Sequence, residues 1–234
     1  PWGFTPTDAG YLPQTPPSSR MFWLRRAWGY YGDISGKGKI SQIVAADSTT
    51  QYNALMALLA SETNSTGTSE LKNAAVFTPL AGTLDTVKSY FANTLTGKTT
   101  PITQSCQRNF VLLATDGNPT GKTGGTMYSL AEQTNTYNAG AWTFGTAASD
   151  VFSRISALRS TSYNSNTYDI QTYVVGLGDT VANASSVATL NRMANLGGTD
   201  AAYLASSSAA LSNAFNLISI DIISRTAAAS AVSL

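Results

Sequence analysis

Thr78 and Asp116 are the residues of this chain whose type and placement suit chemistry. Thr78 is followed by Pro79, the pairing of a helix N-cap with the first helical position. Asp116 closes the apolar run Asn109-Phe-Val-Leu-Leu-Ala-Thr115 and precedes Gly117, so a buried strand delivers one carboxylate to a sheet's edge. A hydroxyl and a carboxylate at element ends are oxygen donors for a hard divalent cation. Against that reading stand two plain ones, Thr78 as a helix cap and Asp116 as the anchor of a turn.

Other chemistries are closed off. With no histidine in 234 residues, there is no Ser-His-Asp or Cys-His catalysis and no imidazole acid or base. The single cysteine, Cys106, rules out an internal disulfide or a cysteine cluster for zinc. Two readings of it stay open, a small buried apolar group or half of a bond to a cysteine outside this sequence. Gly117-Asn-Pro-Thr-Gly-Lys-Thr123 mimics a phosphate-binding loop but is one residue short, has Asp116 where the first glycine belongs, and loses a backbone N–H at Pro119. Gly176-Leu-Gly178 lacks the third glycine of a dinucleotide fingerprint and reads as a tight strand-to-helix turn.

Composition points the same way. Hydrophobic residues make up 43% of the chain and charged ones 12%, with net charge +1. Such a chain buries a core without disulfides and offers no basic field for nucleic acid. Its surface must be built from Ser, Thr, Asn and Gly, a habit of secreted and cell-surface proteins. No run of eighteen apolar residues exists to span a membrane. The start at Pro1 is read as following a segment removed or out of view, and 226–234, rich in Ala and Ser, as a linker toward a further domain.

The elements that must position Thr78 and Asp116 alternate between strand and helix. Residues 1–20 hold five of the eight prolines and predict an irregular arm. Met21–Tyr31 and Lys39–Val44, joined by a glycine-rich turn, predict an aromatic hairpin. Its stripe Phe22, Trp23, Trp28, Tyr30 and Tyr31 reads as core packing. Asp47 predicts the cap of a helix over 48–61 with Tyr52, Leu55, Met56 and Leu59 on one face. A helix from Thr78 to about Leu95 and the strand 109–115 follow. Helices near 127–136 and 146–159, a strand over 168–175, a helix over 184–195, a short strand over 201–204 and a helix over 206–224 complete the pattern. In the last helix Leu211, Phe215, Leu217, Ile218 and Ile222 are expected to face inward. Continuous apolar strands between helices predict an α/β fold with a doubly wound, mostly parallel sheet flanked by helices over 21–225.

Thr78-Pro-Leu, Thr115-Asp-Gly117 and Val174-Val-Gly-Leu-Gly-Asp179 together resemble the von Willebrand factor A domain. Leu24-Arg-Arg-Ala-Trp-Gly-Tyr-Tyr-Gly-Asp-Ile34, Thr78-Pro-Leu-Ala-Gly-Thr-Leu84, Ser105-Cys-Gln-Arg-Asn-Phe110 and the closing Ser224-Arg-Thr-Ala-Ala-Ala-Ser-Ala-Val-Ser-Leu234 are similar to the PilY/PilC family of type IV pilus tip adhesins. The resemblance implies a non-enzymatic binding module at a bacterial surface or pilus tip, extracellular, with pilins, minor pilins or a surface ligand as partners. It also implies a divalent cation, Mg2+ or else Mn2+ or Ca2+, with Thr78 a ligand, Asp116 acting mostly through water, and an acidic group of the partner in an open position. Alternatives are a structural A domain whose vestigial site serves assembly only and, disfavoured by the missing histidine and the broken phosphate loop, an α/β enzyme.

The chain departs from that family at one place. The Asp-x-Ser-x-Ser motif that ends the family's first strand is absent, and the nearest phrase, Asp47-Ser-Thr-Thr-Gln51, ends in glutamine and opens a helix that only sixteen residues separate from Thr78. With 21–44 taken as the second and third strands, the first central strand is expected to come from another polypeptide or precursor segment, which also carries the missing ligands. Leaving that slot open would strand backbone polar groups, at about 1–3 kcal/mol for each buried unsatisfied group.

Overall fold

The computed structural model describes residues 36–45, 47–61 and 78–231. The proline-rich arm and the aromatic stretch Met21–Tyr31 lie outside these residues. In chain order the elements are α1 (Ser48–Leu58), α2 (Leu80–Phe91), β1 (Asn109–Thr115), α3 (Leu130–Gln133), β2 (Thr136–Asn138), β3 (Ala141–Thr143), α4 (Thr146–Leu158), β4 (Thr161–Tyr163), β5 (Asn166–Tyr168), β6 (Ile170–Leu177), α5 (Ala184–Leu196), β7 (Tyr203–Ala205) and α6 (Ser208–Ala231).

The central layer is a three-stranded parallel sheet in the order β1-β6-β7. β1 runs beside β6 from Asn109 opposite Ile170 to Thr115 opposite Gly176, and β7 pairs parallel on the other side of β6. Parallel neighbours require crossovers, and α4 and α5 supply them. Alternation along β6 sends Ile170 and Val174 into a core with Leu80, Leu84, Leu113, Val151, Ile155, Leu158, Leu190 and Met193. Tyr173 and Val175 face the opposite way, into a smaller core with Ala205 and Ile218. Helices therefore cover both faces of β6, the α/β arrangement expected from apolar strands set between helices. Gly176 lets Leu190 of α5 come down onto the sheet, since a Cβ there would meet its side chain.

Several expectations are corrected. Residues 36–45 form no strand; instead they lie along α2, with Gly38 N donating to the Gly82 carbonyl at 3.4 Å, Thr86 Oγ1 to the Gly38 carbonyl at 3.1 Å, and Val44 N to the Tyr90 hydroxyl at 3.0 Å. Gly36 and Gly82 make this approach possible, because a Cβ on Gly82 would collide with the Gly36 carbonyl. The helix expected near 127–136 shrinks to the four residues of α3, followed by the β2–β3 hairpin, whose turn residues Ala139 and Gly140 both have positive φ. The strand expected over 168–175 divides into β5 and β6. Phe215 and Leu217 of α6 point outward at 41% and 45% exposure, while Ala214 and Ile218 are buried. The residues read as the start of a linker, 226–231, continue α6, since the run of Ala and Ser contains no Gly or Pro to stop it. Cys106 is exposed and free, against the buried reading.

Asp47 caps α1 as expected, its carboxylate accepting from Thr50 N at 2.8 Å, which holds the carboxyl below its usual range. The shared face of Tyr52, Leu55, Met56 and Leu59 is exposed. Among the described residues no helix is long and apolar enough to cross a membrane.

Candidate functional site

Thr78 reaches the end of β1 through its backbone. Pro79, with ψ 57°, is the residue that flanks α2 and no side chain caps that helix, so Thr78 is not the N-cap its sequence suggests. Its polar backbone groups are taken by the loop after β1. Thr78 N donates to Thr120 Oγ1 at 2.8 Å, and the Thr78 carbonyl accepts from Thr120 N at 3.1 Å and Gly121 N at 3.2 Å. Relieved of capping, the Thr78 hydroxyl makes no hydrogen bond among the described residues. It lies against Gly117, where a Cβ would come within 3.3 Å of the Thr78 Oγ1.

The turn that carries Asp116 is fixed on both sides. Thr115, 5% exposed, donates from Oγ1 to the Gly117 carbonyl at 2.8 Å and accepts from Gly117 N at 3.3 Å. Asn118 Nδ2 donates to Ser186 Oγ at 3.0 Å. Ser186 is buried in the first turn of α5, a turn capped by Asn183 Oδ1, which accepts from Ser185 N and Ser186 N. Asp116 itself is exposed and has no hydrogen bond or ion pair among the described residues. The structure thus brings Thr78 to the residue adjacent to Asp116, at the carboxyl end of a parallel strand, where ligands of open α/β sheets collect.

The loop beyond is pinned from below. Gly121 bridges Met127, Tyr128 N donates to the Thr120 carbonyl at 2.9 Å, and the buried Tyr128 donates its hydroxyl to Asp150 of α4 at 2.5 Å. Burial and that bond push the Tyr128 phenol above its usual range. Lys122 is engaged with Glu132 at 2.8 Å and sits over the Tyr128 ring. That salt bridge, with the Ser129 backbone and hydroxyl, holds the Glu132 carboxyl down at about 2. No helix opens at Lys122, as a phosphate-binding loop would require; a turn and a bridge follow.

Thr120, Asn118 and Ser186 support the site and were missed in the sequence. The Asn118-Pro119 pair, a turn signal, was the available hint. Asp47 and Gln51, the alternative ligands, are spent on local contacts: Asp47 on its cap and Gln51 Oε1 on Ala45 N at 2.6 Å.

An uncommitted hydroxyl beside an uncommitted carboxylate fits the donor set of a hard cation. Two donors fall short of a shell, and among the described residues no three Asp, Glu, Cys or His side chains gather. No family model, curated protein or solved structure matches this chain.

Proposed function

We propose that the chain is a non-enzymatic adhesion and protein-binding module of the von Willebrand factor A kind, akin to the PilY/PilC adhesins and acting outside the cell at a bacterial surface or type IV pilus tip. It takes hold of an acidic group on a pilin, minor pilin or surface ligand. Thr78 and Asp116 would hold the cation, Mg2+ or else Mn2+ or Ca2+, with the remaining ligands from outside the chain. The bound cation would supply residual positive charge to the incoming carboxylate. The observation that carries this reading is the Thr78 hydroxyl, unbonded and packed against Gly117, when the hydroxyl of a residue before a helix ordinarily caps it.

The chain's own residues do the positioning. Thr120 fixes the Thr78 backbone, Thr115 fixes the turn that presents Asp116, and Asn118 ties that turn to α5. A strand from another polypeptide would bring the further ligands beside β1, whose other side meets no strand among the described residues. A second reading, a structural domain with a vestigial site, draws on the shortage of carboxylates among the described residues.

Titration with Mn2+, followed by water proton relaxation, separates the two. The wild-type chain joined by the polypeptide that supplies the remaining ligands should bind, and in that complex Asp116→Ala and Thr78→Val should each lose at least about tenfold in affinity, roughly 1.4 kcal/mol. Unchanged binding in both variants would remove the adhesive reading.

A further inference from the structure

The β2–β3 hairpin lies in solvent, with five of its six strand residues exposed. Tyr137 and Trp142 oppose one another across it, their ring centroids 5.1 Å apart and their planes tilted by 51°. Tyr137 is 61% exposed. Both rings carry a polar edge, and neither the Tyr137 hydroxyl nor the Trp142 indole N–H makes a hydrogen bond among the described residues. Alternation puts Thr136, Asn138, Ala141 and Thr143 on the other face of the hairpin, a face that is polar or small and carries no charge.

The root of the hairpin is fixed. Asn135, just before β2, donates from Nδ2 to Ser185 Oγ at 3.0 Å and to Thr189 Oγ1 at 2.9 Å, both on α5. Its Oδ1 accepts from Gly145 N on the other arm at 2.9 Å. A Cβ on Gly145 would run into the Glu132 and Thr134 carbonyls. Phe144 sets its ring edge-on against Phe152 of α4, with 4.9 Å between centroids. An aromatic pair on so firm a base is ordered before any ligand arrives, which lowers the cost of binding. Ser185 holds this root while its neighbour Ser186 holds Asn118, so the hairpin and the Asp116 loop are anchored on the same turn of α5.

We propose that Tyr137 and Trp142 form a binding site for a neutral sugar, a pyranose ring of a surface glycan. The C–H groups on one face of a pyranose carry slight positive charge and suit the negative face of an aromatic ring. A tilted pair takes one sugar ring, stacked on Tyr137 with Trp142 at its flank. Sugar hydroxyls both donate and accept, so they match the Tyr137 hydroxyl, which does the same, and the indole N–H, which donates. Charge selects the occupant. From Gln133 to Ser149 there is no charged residue, whereas a nucleic acid or an anionic membrane calls for Lys and Arg. Protein partners favour aromatic anchors with Arg in a desolvated centre, and these rings stand in water among Thr, Asn, Ala and Gly. The inference rests on the hairpin alone and needs no cation.

An NMR titration of the whole isotope-labelled chain tests this, in EDTA, with the methyl β-glycosides of glucose, galactose and N-acetylglucosamine as probes. At least one is expected to bind at millimolar concentration, moving the Trp142 indole N–H signal and receiving saturation transfer at its ring C–H protons. Tyr137→Ala should weaken that glycoside at least about tenfold through the lost stacking face. Tyr137→Thr, which keeps a strand former, should do the same even if alanine disorders the hairpin. Tyr137→Phe keeps the ring and should lose only about threefold, the worth of one hydrogen bond. The proposal is overturned if none of the glycosides binds, if binding survives loss of the Tyr137 ring, or if an apolar tripeptide moves the indole signal and no glycoside does. Because EDTA takes the cation out of the measurement, sugar binding can fail while Thr78 and Asp116 still hold Mn2+, and the reverse.

Discussion

At Gly117 a single methyl group is a test of the site. A Cβ there would stand 3.3 Å from the Thr78 hydroxyl, tighter than ordinary contact, yet on a backbone without positive φ. Gly117→Ala should therefore leave the fold intact by circular dichroism while lowering Mn2+ affinity in the same relaxation titration. Thr120→Val removes the acceptor for Thr78 N and should cost about 0.5–1.5 kcal/mol in urea unfolding, with Thr120→Ser close to wild type. That a strand ends where Asp116 begins was legible from the apolar run Asn109–Thr115. Thr78's release from capping was not, because it depends on hydrogen bonds to a loop some forty residues away, and no local propensity encodes them.

At the scale of elements, α3 is a helix of one turn held by its ends. Ser129 Oγ accepts from Glu132 N at 3.3 Å, while Glu132 accepts from Ser129 N at 2.8 Å and from Lys122, a reciprocal capping box. Because the folded Glu132 titrates near 2 and its ordinary value is 4.5, the cap is complete above pH 4.5 and is lost as pH falls through about 2. The protection of the Ser129 amide relative to the unfolded chain at the same pH should fall across that window, and Lys122→Ala should move the transition to higher pH. Strand–helix alternation told of α2, β1, α4, β6 and α5 to within a few residues, since each carries its own apolar period and end signals. The β2–β3 hairpin follows the helix expected near 127–136, in residues where the sequence suggested no element. Lys39–Val44 failed as a strand because its backbone partners belong to α2, and a hydrophobic pattern does not name its partner.

Across the whole molecule, stability is concentrated where β6 meets α4. Ile155, Leu158, Ile170 and Val174 are all fully buried, so Ile155→Ala should destabilise the chain by about 2–5 kcal/mol through the cavity it leaves, read as a shift of the urea midpoint. The opposite face depends on fewer apolar groups and on a polar clasp. Tyr173 donates its hydroxyl to Asp221 at 2.6 Å, and Arg225 binds Asp221 at 2.7 Å and the Gly198 carbonyl at 3.3 Å. Coverage of both faces of the sheet was readable from the continuous apolar run Phe110–Ala114 of β1. Which side of α6 faces inward was not, since apolar residues line it nearly all round and only contact with the sheet chooses among them. That helix is 24 residues long, about 36 Å at 1.5 Å per residue. Any tether joined beyond Arg225 would consequently pull on a stiff rod, and the first bonds to bear the load would be those of the clasp. Tension would shear α6 along β6 and β7 before it reached Asp116 at the far end of β1.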